Sequence, residues 1–277
     1  MHPATSSNAL RVVPGASSSQ PMVSLESVTM AFGDFIAVEN VNIAVEDGEF
    51  VAIVGPTGCG KSTILNAVAG LLKPSSGVVR IDGQAVSGVQ RNVGYLFQQD
   101  SLLPWKTARE NIELGLQFRG MEGAERRARG SEWLSKVGLK QFEARYPHQL
   151  SGGQRKRVQM AQALITDPRV ILMDEPFSAL DIHTRHLMQN ELLRLWQEHR
   201  RAVLLITHDL EEAIALGDRV IVLAAGPRSR VIESFPVELE RPRNVAEIKL
   251  DPRFTELYRR IWASLRGEVE KSYTRDA

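Results

Sequence analysis

Phe50-Val-Ala-Ile-Val-Gly-Pro-Thr-Gly-Cys-Gly-Lys-Ser-Thr63 runs from an uninterrupted apolar segment into a glycine-rich turn that ends in Lys-Ser-Thr. An apolar run closed by a glycine suits a strand buried on both faces, and Thr63 to Leu72 beyond it carries a helical pattern. The turn itself, Gly55 to Ser62, has the form G-x-x-x-x-G-K-S. Glycines there let backbone N–H groups close around phosphate oxygens, and the N-terminus of the following helix adds partial positive charge. Gly55, Pro56, Thr57, Gly58, Cys59, Gly60, Lys61, Ser62 and Thr63 are therefore the candidate phosphate-binding residues. Lys61 would reach the β- and γ-phosphates of a nucleotide, and Ser62 would offer its hydroxyl to Mg2+.

Working outward, three more continuous apolar runs follow: Val170-Ile-Leu-Met, Val203-Leu-Leu-Ile and Val220-Ile-Val-Leu. Such runs separated by helical segments describe a parallel sheet flanked by helices, hence an α/β core. On the N-terminal side the pattern changes. Val23-Ser-Leu-Glu-Ser-Val-Thr-Met and Val41-Asn-Ile-Ala-Val alternate, and Val78-Val-Arg-Ile-Asp-Gly ends in a turn signal, which predicts antiparallel strands with one wet face. Between Lys106 and about Thr166 no strand pattern appears; Thr107 to Phe118, Gly123 to Val137 and Gly153 to Leu164 read as helices. After Arg241-Pro-Arg, the residues Phe254, Leu257, Tyr258, Ile261, Trp262 and Leu265 recur at helical spacing. Docking of that helix on its own core is expected, because its polar face mixes acids and bases. The implied division is a tail over residues 1–21, a main domain over 22–240 with a helical insertion at about 106–166, and a helical extension over 241–277.

The chain has 277 residues, with 34 Lys and Arg against 33 Asp and Glu, for a formal net charge of +1. That balance lacks the basic footprint of a dedicated nucleic-acid binder. A single cysteine, Cys59, excludes an internal disulfide and suits a reducing compartment. No apolar run approaches the ~20 residues of a spanning helix. The first 22 residues, with five Ser, three Pro and one Arg, lack the apolar run of a signal peptide. A soluble, intracellular chain with a disordered N-terminal tail is expected.

Two further motifs carry chemistry. Asp174-Glu175 ends the run from Arg169, and parallel sheets bind ligands at the carboxyl edge of their strands, where these two carboxylates would meet the phosphate loop. Asp174 would hold Mg2+, and Glu175 would orient or deprotonate an attacking water. Leu150-Ser-Gly-Gly-Gln154 is a second glycine-bearing loop that opens a helix, so it has the makings of a second anion cradle. Each loop resembles half of a clamp, and two chains paired head-to-tail would complete two clamps. Cys59 has two readings: a small loop residue, or a thiol activated by Lys61 and the helix N-terminus.

In this order, the phosphate loop, Leu150–Gln154, Asp174-Glu175, Ser178-Ala-Leu-Asp181 and the strand end Leu204-Leu-Ile-Thr-His208 resemble an ATP-binding cassette ATPase over roughly residues 22–240. The resemblance implies a P-loop (RecA-like) parallel sheet core with an N-terminal antiparallel β-subdomain and an inserted α-helical subdomain. It implies ATP and Mg2+ as ligands, with Glu175, His208 and Gln98 in the hydrolytic centre and Gln98 beside the metal. It further implies that Ser151, Gly152, Gly153 and Gln154 contact ATP held by the partner chain, with Asp181 at the dimer seam. Phe32 stands where the family usually stacks a tyrosine on adenine, and Gln162 where the signature helix usually carries arginine.

Gly94-Tyr-Leu-Phe-Gln-Gln-Asp-Ser-Leu-Leu-Pro-Trp105 is similar to the ATPase subunits of importers for nitrate, sulfonates and taurine. That resemblance implies a homodimer on the cytoplasmic face of the cell membrane, beneath membrane permease subunits fed by an extracytoplasmic binding protein. Leu102, Leu103, Pro104 and Trp105 would then form part of the permease groove, or else pack inside the helical subdomain. An exporter cassette, or a cassette acting on DNA or ribosomes, stays open as an alternative.

Overall fold

The computed structural model describes residues 20–275; the tail expected over 1–21 lies outside them except for Gln20 and Pro21. In chain order the strands are β1 (Val23–Phe32), β2 (Phe35–Val45), β3 (Phe50–Val54), β4 (Ser76–Ile81), β5 (Gln84–Ala85), β6 (Val93–Leu96), β7 (Val170–Asp174), β8 (Ala202–Thr207), β9 (Arg219–Leu223) and β10 (Val231–Pro236). The helices are α1 (Lys61–Val68), α2 (Ala108–Ile112), α3 (Leu114–Phe118), α4 (Gly123–Lys136), α5 (Gly152–Leu164), α6 (Ile182–His199), α7 (Leu210–Leu216) and α8 (Pro252–Arg275).

Two sheets result. One has the order β2-β1-β4-β5 and is antiparallel; the other has the order β10-β9-β3-β8-β7-β6. In the second, β6, β7, β8, β3 and β9 are mutually parallel, and β10 closes the edge antiparallel to β9. The alternation in β1 and β2 and the continuous runs in β3, β7, β8 and β9 thus produce the two kinds of sheet they predict.

Strand β3 shows why its sequence is apolar throughout. Phe50, Ala52 and Val54 point into a core shared with α5, α6 and α7, whereas Val51 and Ile53 point into a second core shared with α1 and the antiparallel sheet. Every one of these side chains is fully buried, and each full burial contributes roughly 1.5–3 kcal/mol. Phe50 also meets Trp196 of α6 edge-on, with ring centroids 5.5 Å apart.

Departures from the sequence expectation have local causes. α1 ends at Val68 rather than Leu72, because Gly70 takes φ +74° and a Cβ there would meet the Gly88 carbonyl oxygen at 1.8 Å. The segment expected as one helix over Thr107–Phe118 is divided at Glu113, a buried carboxylate held by Arg109 and Arg126, each at 3.2 Å. α2–α5 lie between β6 and β7.

α8 docks on the core. Phe254, Leu257, Ile261 and Leu265 are buried, against α7, β9 and β10. Arg243, also buried, caps α7 by donating to the carbonyls of Ile214 and Gly217, which satisfies groups that a helix end leaves unpaired. Among the described residues no helix is long and apolar enough to cross a membrane.

Candidate active site

The parallel sheet delivers the site. β3 ends at Val54, and the Gly55–Thr63 loop turns directly into α1. Two glycines are forced by this geometry: a Cβ at Gly55 would stand 2.8 Å from Cys59 Sγ, and at Gly60, with φ +92°, 2.5 Å from Val38 Cγ1. α1 has no acidic residue in its first turn and no side-chain cap, so neither would compete with an anion for the loop's donors. Thr57 and Gly58 are exposed on the rim, Pro56 and Cys59 buried beneath it. Lys61 is buried and folds back into the loop, its Nζ donating to the carbonyls of Gly55 (2.8 Å) and Pro56 (2.9 Å). Phosphate oxygens are stronger acceptors for that ammonium than two neutral carbonyls.

Cys59 is resolved in favour of packing. It is fully buried, and burial pushes its thiol up despite the nearby Lys61, so the activated-thiol reading falls.

β7 and β8 bring the acids and the histidine to the same edge. Ser62 Oγ lies 3.4 Å from Asp174 Oδ1, and burial raises the Asp174 carboxyl, with Glu175 adding like charge. Glu175 is a non-glycine residue at φ +41°, a strained backbone fixed by its N–H donating to the Ile206 carbonyl at 2.9 Å. His208 Nδ1 lies 2.9 Å from Glu175 Oε2, and Gln98 Nε2 approaches the same oxygen at 3.5 Å. Lys61, Ser62, Asp174, Glu175, Gln98 and His208 therefore form one constellation, as their sequence positions anticipate.

These residues fit Mg2+. The donors are hard oxygens: the Ser62 hydroxyl, the Asp174 carboxylate and the Gln98 side-chain carbonyl. Burial and the charge of Glu175 both raise the Asp174 carboxyl, and a bound cation would offset both. Among the described residues no group of three or more His, Cys, Asp or Glu side chains could hold a metal. That matches an ion completed by substrate phosphates and water rather than by a protein cage.

The Leu150–Gln154 loop stands apart. Ser151 caps α5, accepting from the Gln154 N–H at 3.3 Å, while Gln154 Oε1 accepts from the Ser151 N–H at 2.9 Å. Ser151 and Gly152 are exposed, and Ser151–Gln154 line a cleft of about 510 Å3 with Ala179, Leu180 and Asp181. Asp181 caps α6 by accepting from the Thr184 N–H at 3.0 Å. A separate cleft of about 920 Å3 is lined by Gly55–Gly58, His208 and part of α8, and the two share no lining residue.

Phe32 is half exposed at the β1–β2 hairpin, so it is not core. The neighbouring Phe35, unremarked in the sequence, is the ring that lines the 920 Å3 cleft. Leu102 packs inside the helical region while Trp105 and Phe118 are exposed. Leu103, Phe97, Phe118 and Gln162 line a further groove of about 740 Å3, where Arg119 supplies charge near Gln162 and donates to the carbonyls of Thr166 and Arg91.

Two residues that sequence reasoning passed over hold the constellation in place. Lys156 of α5 is buried and donates to the Phe97 carbonyl at 3.3 Å, next to Gln98; burial pulls it down to about 8. Glu212 of α7 is buried, accepts from Thr207 Oγ1 and from Gln189 Nε2, and so anchors the strand end that carries His208. In the sequence Lys156 stands between Arg155 and Arg157, and Glu212 follows Glu211, so neither is distinguished from a solvent-facing charge on a helix.

The family model described as ABC transporter matches residues 38–178. The nitrate import ATP-binding protein NrtD of Synechocystis sp. is 43% identical over 245 residues, covering 87% of this chain and 92% of that one. The taurine import ATP-binding protein TauB of Escherichia coli K12 is 42% identical over 237 residues, covering 84% and 92%. A dimeric ATP-binding cassette in a post-hydrolysis state, bound to ADP and Pi, superposes with a TM-score of 0.69 at 38% identity, covering 79% of this chain and all of that one. On that likeness the chain belongs to the ABC transporter ATP-binding family and is an ATPase that uses ATP with Mg2+.

Proposed function

We propose that the chain is the ATP-hydrolysing subunit of an importer for a small anion of the nitrate, sulfonate or taurine kind. It works as a head-to-tail homodimer beneath separate membrane permease subunits, on the cytoplasmic face of the cell membrane. An extracytoplasmic binding protein supplies the solute. The names of the nitrate and taurine relatives support the solute class, and the exposed apolar groove at Phe97, Leu103 and Phe118 supports a permease helix as occupant.

The observation that carries the homodimer is the separation of the two clefts. Within one chain Ser151–Gln154 and Gly55–Gly58 line different cavities, so the signature loop meets a nucleotide only if that nucleotide is held by a second copy.

In the closed site, Gly55–Thr63 wraps the phosphates and Lys61 exchanges its two carbonyls for phosphate oxygens. Phe32 stacks on adenine. Ser62, Asp174 and Gln98 would hold Mg2+, which would neutralise phosphate charge. Glu175 accepts a proton from the attacking water, and His208, oriented by its bond to Glu175, faces the γ-phosphate. Ser151, Gly152, Gly153 and Gln154 of the second copy close over that phosphate with Asp181 at the seam. Rigid rotation of the helical segments then carries the change to the permease.

Complementation tests the arrangement. Lys61→Ala and Ser151→Arg chains are each inactive alone, but a mixed dimer contains one clamp with both halves intact, so mixing restores part of the ATPase activity. Two variants that stay inactive when mixed, although each still pairs with wild type, would exclude the shared clamp.

A further inference from the structure

α8 does more than cover the core. Leu265 of its buried stripe, with Tyr258, Trp262 and Val269, lines the cleft that Gly55–Gly58 also line. One turn past Leu265 comes Glu268, whose carboxylate is largely buried and accepts the backbone N–H of Ala225 at 2.9 Å. Lys271 pairs with the other carboxylate oxygen, Oε1, at 2.5 Å from the solvent side.

Ala225 is itself buried and is followed by Gly226. Gly226 lies directly on the phosphate loop: a Cβ there would stand 3.0 Å from the Gly58 carbonyl oxygen and 3.5 Å from Cys59 Cα. The far side of this segment is tied down as well, with Ser229 Oγ donating to the Ala224 carbonyl at 2.8 Å and the Ser229 N–H to the Ala37 carbonyl. A continuous path of contacts thus leads from α8 through Glu268, Ala225 and Gly226 to the backbone whose N–H groups face the phosphates. Glu268 and Ala225 do not line the cleft that Gly55–Gly58 line, so their action is on the shape of the loop.

We propose that Glu268 is a positioning residue for ATP binding: by holding Ala225, α8 presses Gly226 against Gly58 and sets the phosphate loop in its binding shape. α8 is then a handle on nucleotide affinity. This rests on the assignment of Gly55–Thr63 as the phosphate loop.

The test uses the full chain, with equilibrium binding of a fluorescent ATP analogue in Mg2+ and steady-state hydrolysis of ATP. Glu268→Ala should raise Kd and KM about three- to tenfold, the weight of one hydrogen bond to a charged acceptor partly transmitted, with kcat at saturation within about twofold. Glu268→Gln should stay within about twofold of wild type in both, because the amide oxygen still accepts from Ala225. Gly226→Ala perturbs the same contact from the other end without touching α8, and should also raise KM. A Glu268→Ala protein that binds ATP as wild type does, or a Gln variant as impaired as Ala, overturns the proposal. Lys61→Ala separates the two readings. If it weakens binding while Glu268→Ala and Gly226→Ala do not, only the role of α8 is wrong; if Lys61→Ala binds normally, the phosphate loop itself is misassigned.

Discussion

Glu175→Gln is the substitution from which the most can be worked out. The glutamine keeps the size of the side chain, and its amide oxygen can still accept from His208, now 2.9 Å from Glu175 Oε2. The strained backbone at φ +41° is held by the bond to the Ile206 carbonyl, which the change does not touch. What disappears is a negative charge and a base. Loss of a positioned general base lowers the chemical step by about 10²–10⁴-fold, or roughly 2.7–5.5 kcal/mol. ATP affinity moves the other way: Glu175 adds negative charge beside Asp174, and removing it lessens the repulsion of the phosphate anion. Phosphate release at saturating Mg-ATP and equilibrium nucleotide binding, measured on the same preparation, check both halves. Hydrolysis within about threefold of wild type would refute Glu175 as the base. Equal losses of binding and turnover would refute the claim that the site's geometry survives the change.

Further outcomes follow from the same geometry. Gly60→Ala puts a Cβ 2.5 Å from Val38 Cγ1 at a φ of +92°, a strain of about 1–3 kcal/mol. Its Tm should fall by roughly 2–4 °C per kcal/mol, and ATP binding should weaken because Lys61 is the next residue; an unchanged Tm would show that the loop yields freely. Lys156, pulled down to about 8 by burial, should reveal itself in the pH dependence of stability. An unfolded lysine titrates near ~10.4, so between about 8 and 10.4 the unfolded chain binds more protons and stability rises with pH. Lys156→Met abolishes that dependence. Its Tm relative to wild type should therefore be most favourable near pH 7 and fall by several degrees towards pH 10, and a difference constant across that range would count against the buried charge.

How far the sequence carried this account differs from element to element. β3, its loop and α1 were legible because a strand buried on both faces has no polar position to disguise it, and because Gly55 and Gly60 stand where any Cβ would collide. The stripe of α8 was legible for the same reason, since Phe254, Leu257, Ile261 and Leu265 all face one core. β6 and β10 were not. β6 is four residues long with half-buried Val93 and Tyr95, and β10 is an edge strand whose Glu233 and Ser234 face solvent, so neither leaves a clean period. In the site, motif spacing marked Lys61, Asp174, Glu175 and His208, but the supports were silent. Lys156, Glu212 and Glu268 are charged residues on helices, a class normally exposed, and their partners lie 59, 5 and 43 positions away.

The shared clamp is tested most directly by light scattering after size exclusion on the Glu175→Gln protein, with and without Mg-ATP. The account predicts a mass of 30.8 kDa without nucleotide and twice that with it, and loss of the shift when Ser151→Arg is added. A protein that binds Mg-ATP yet stays at 30.8 kDa, or that doubles in mass equally well with Ser151→Arg, would contradict it.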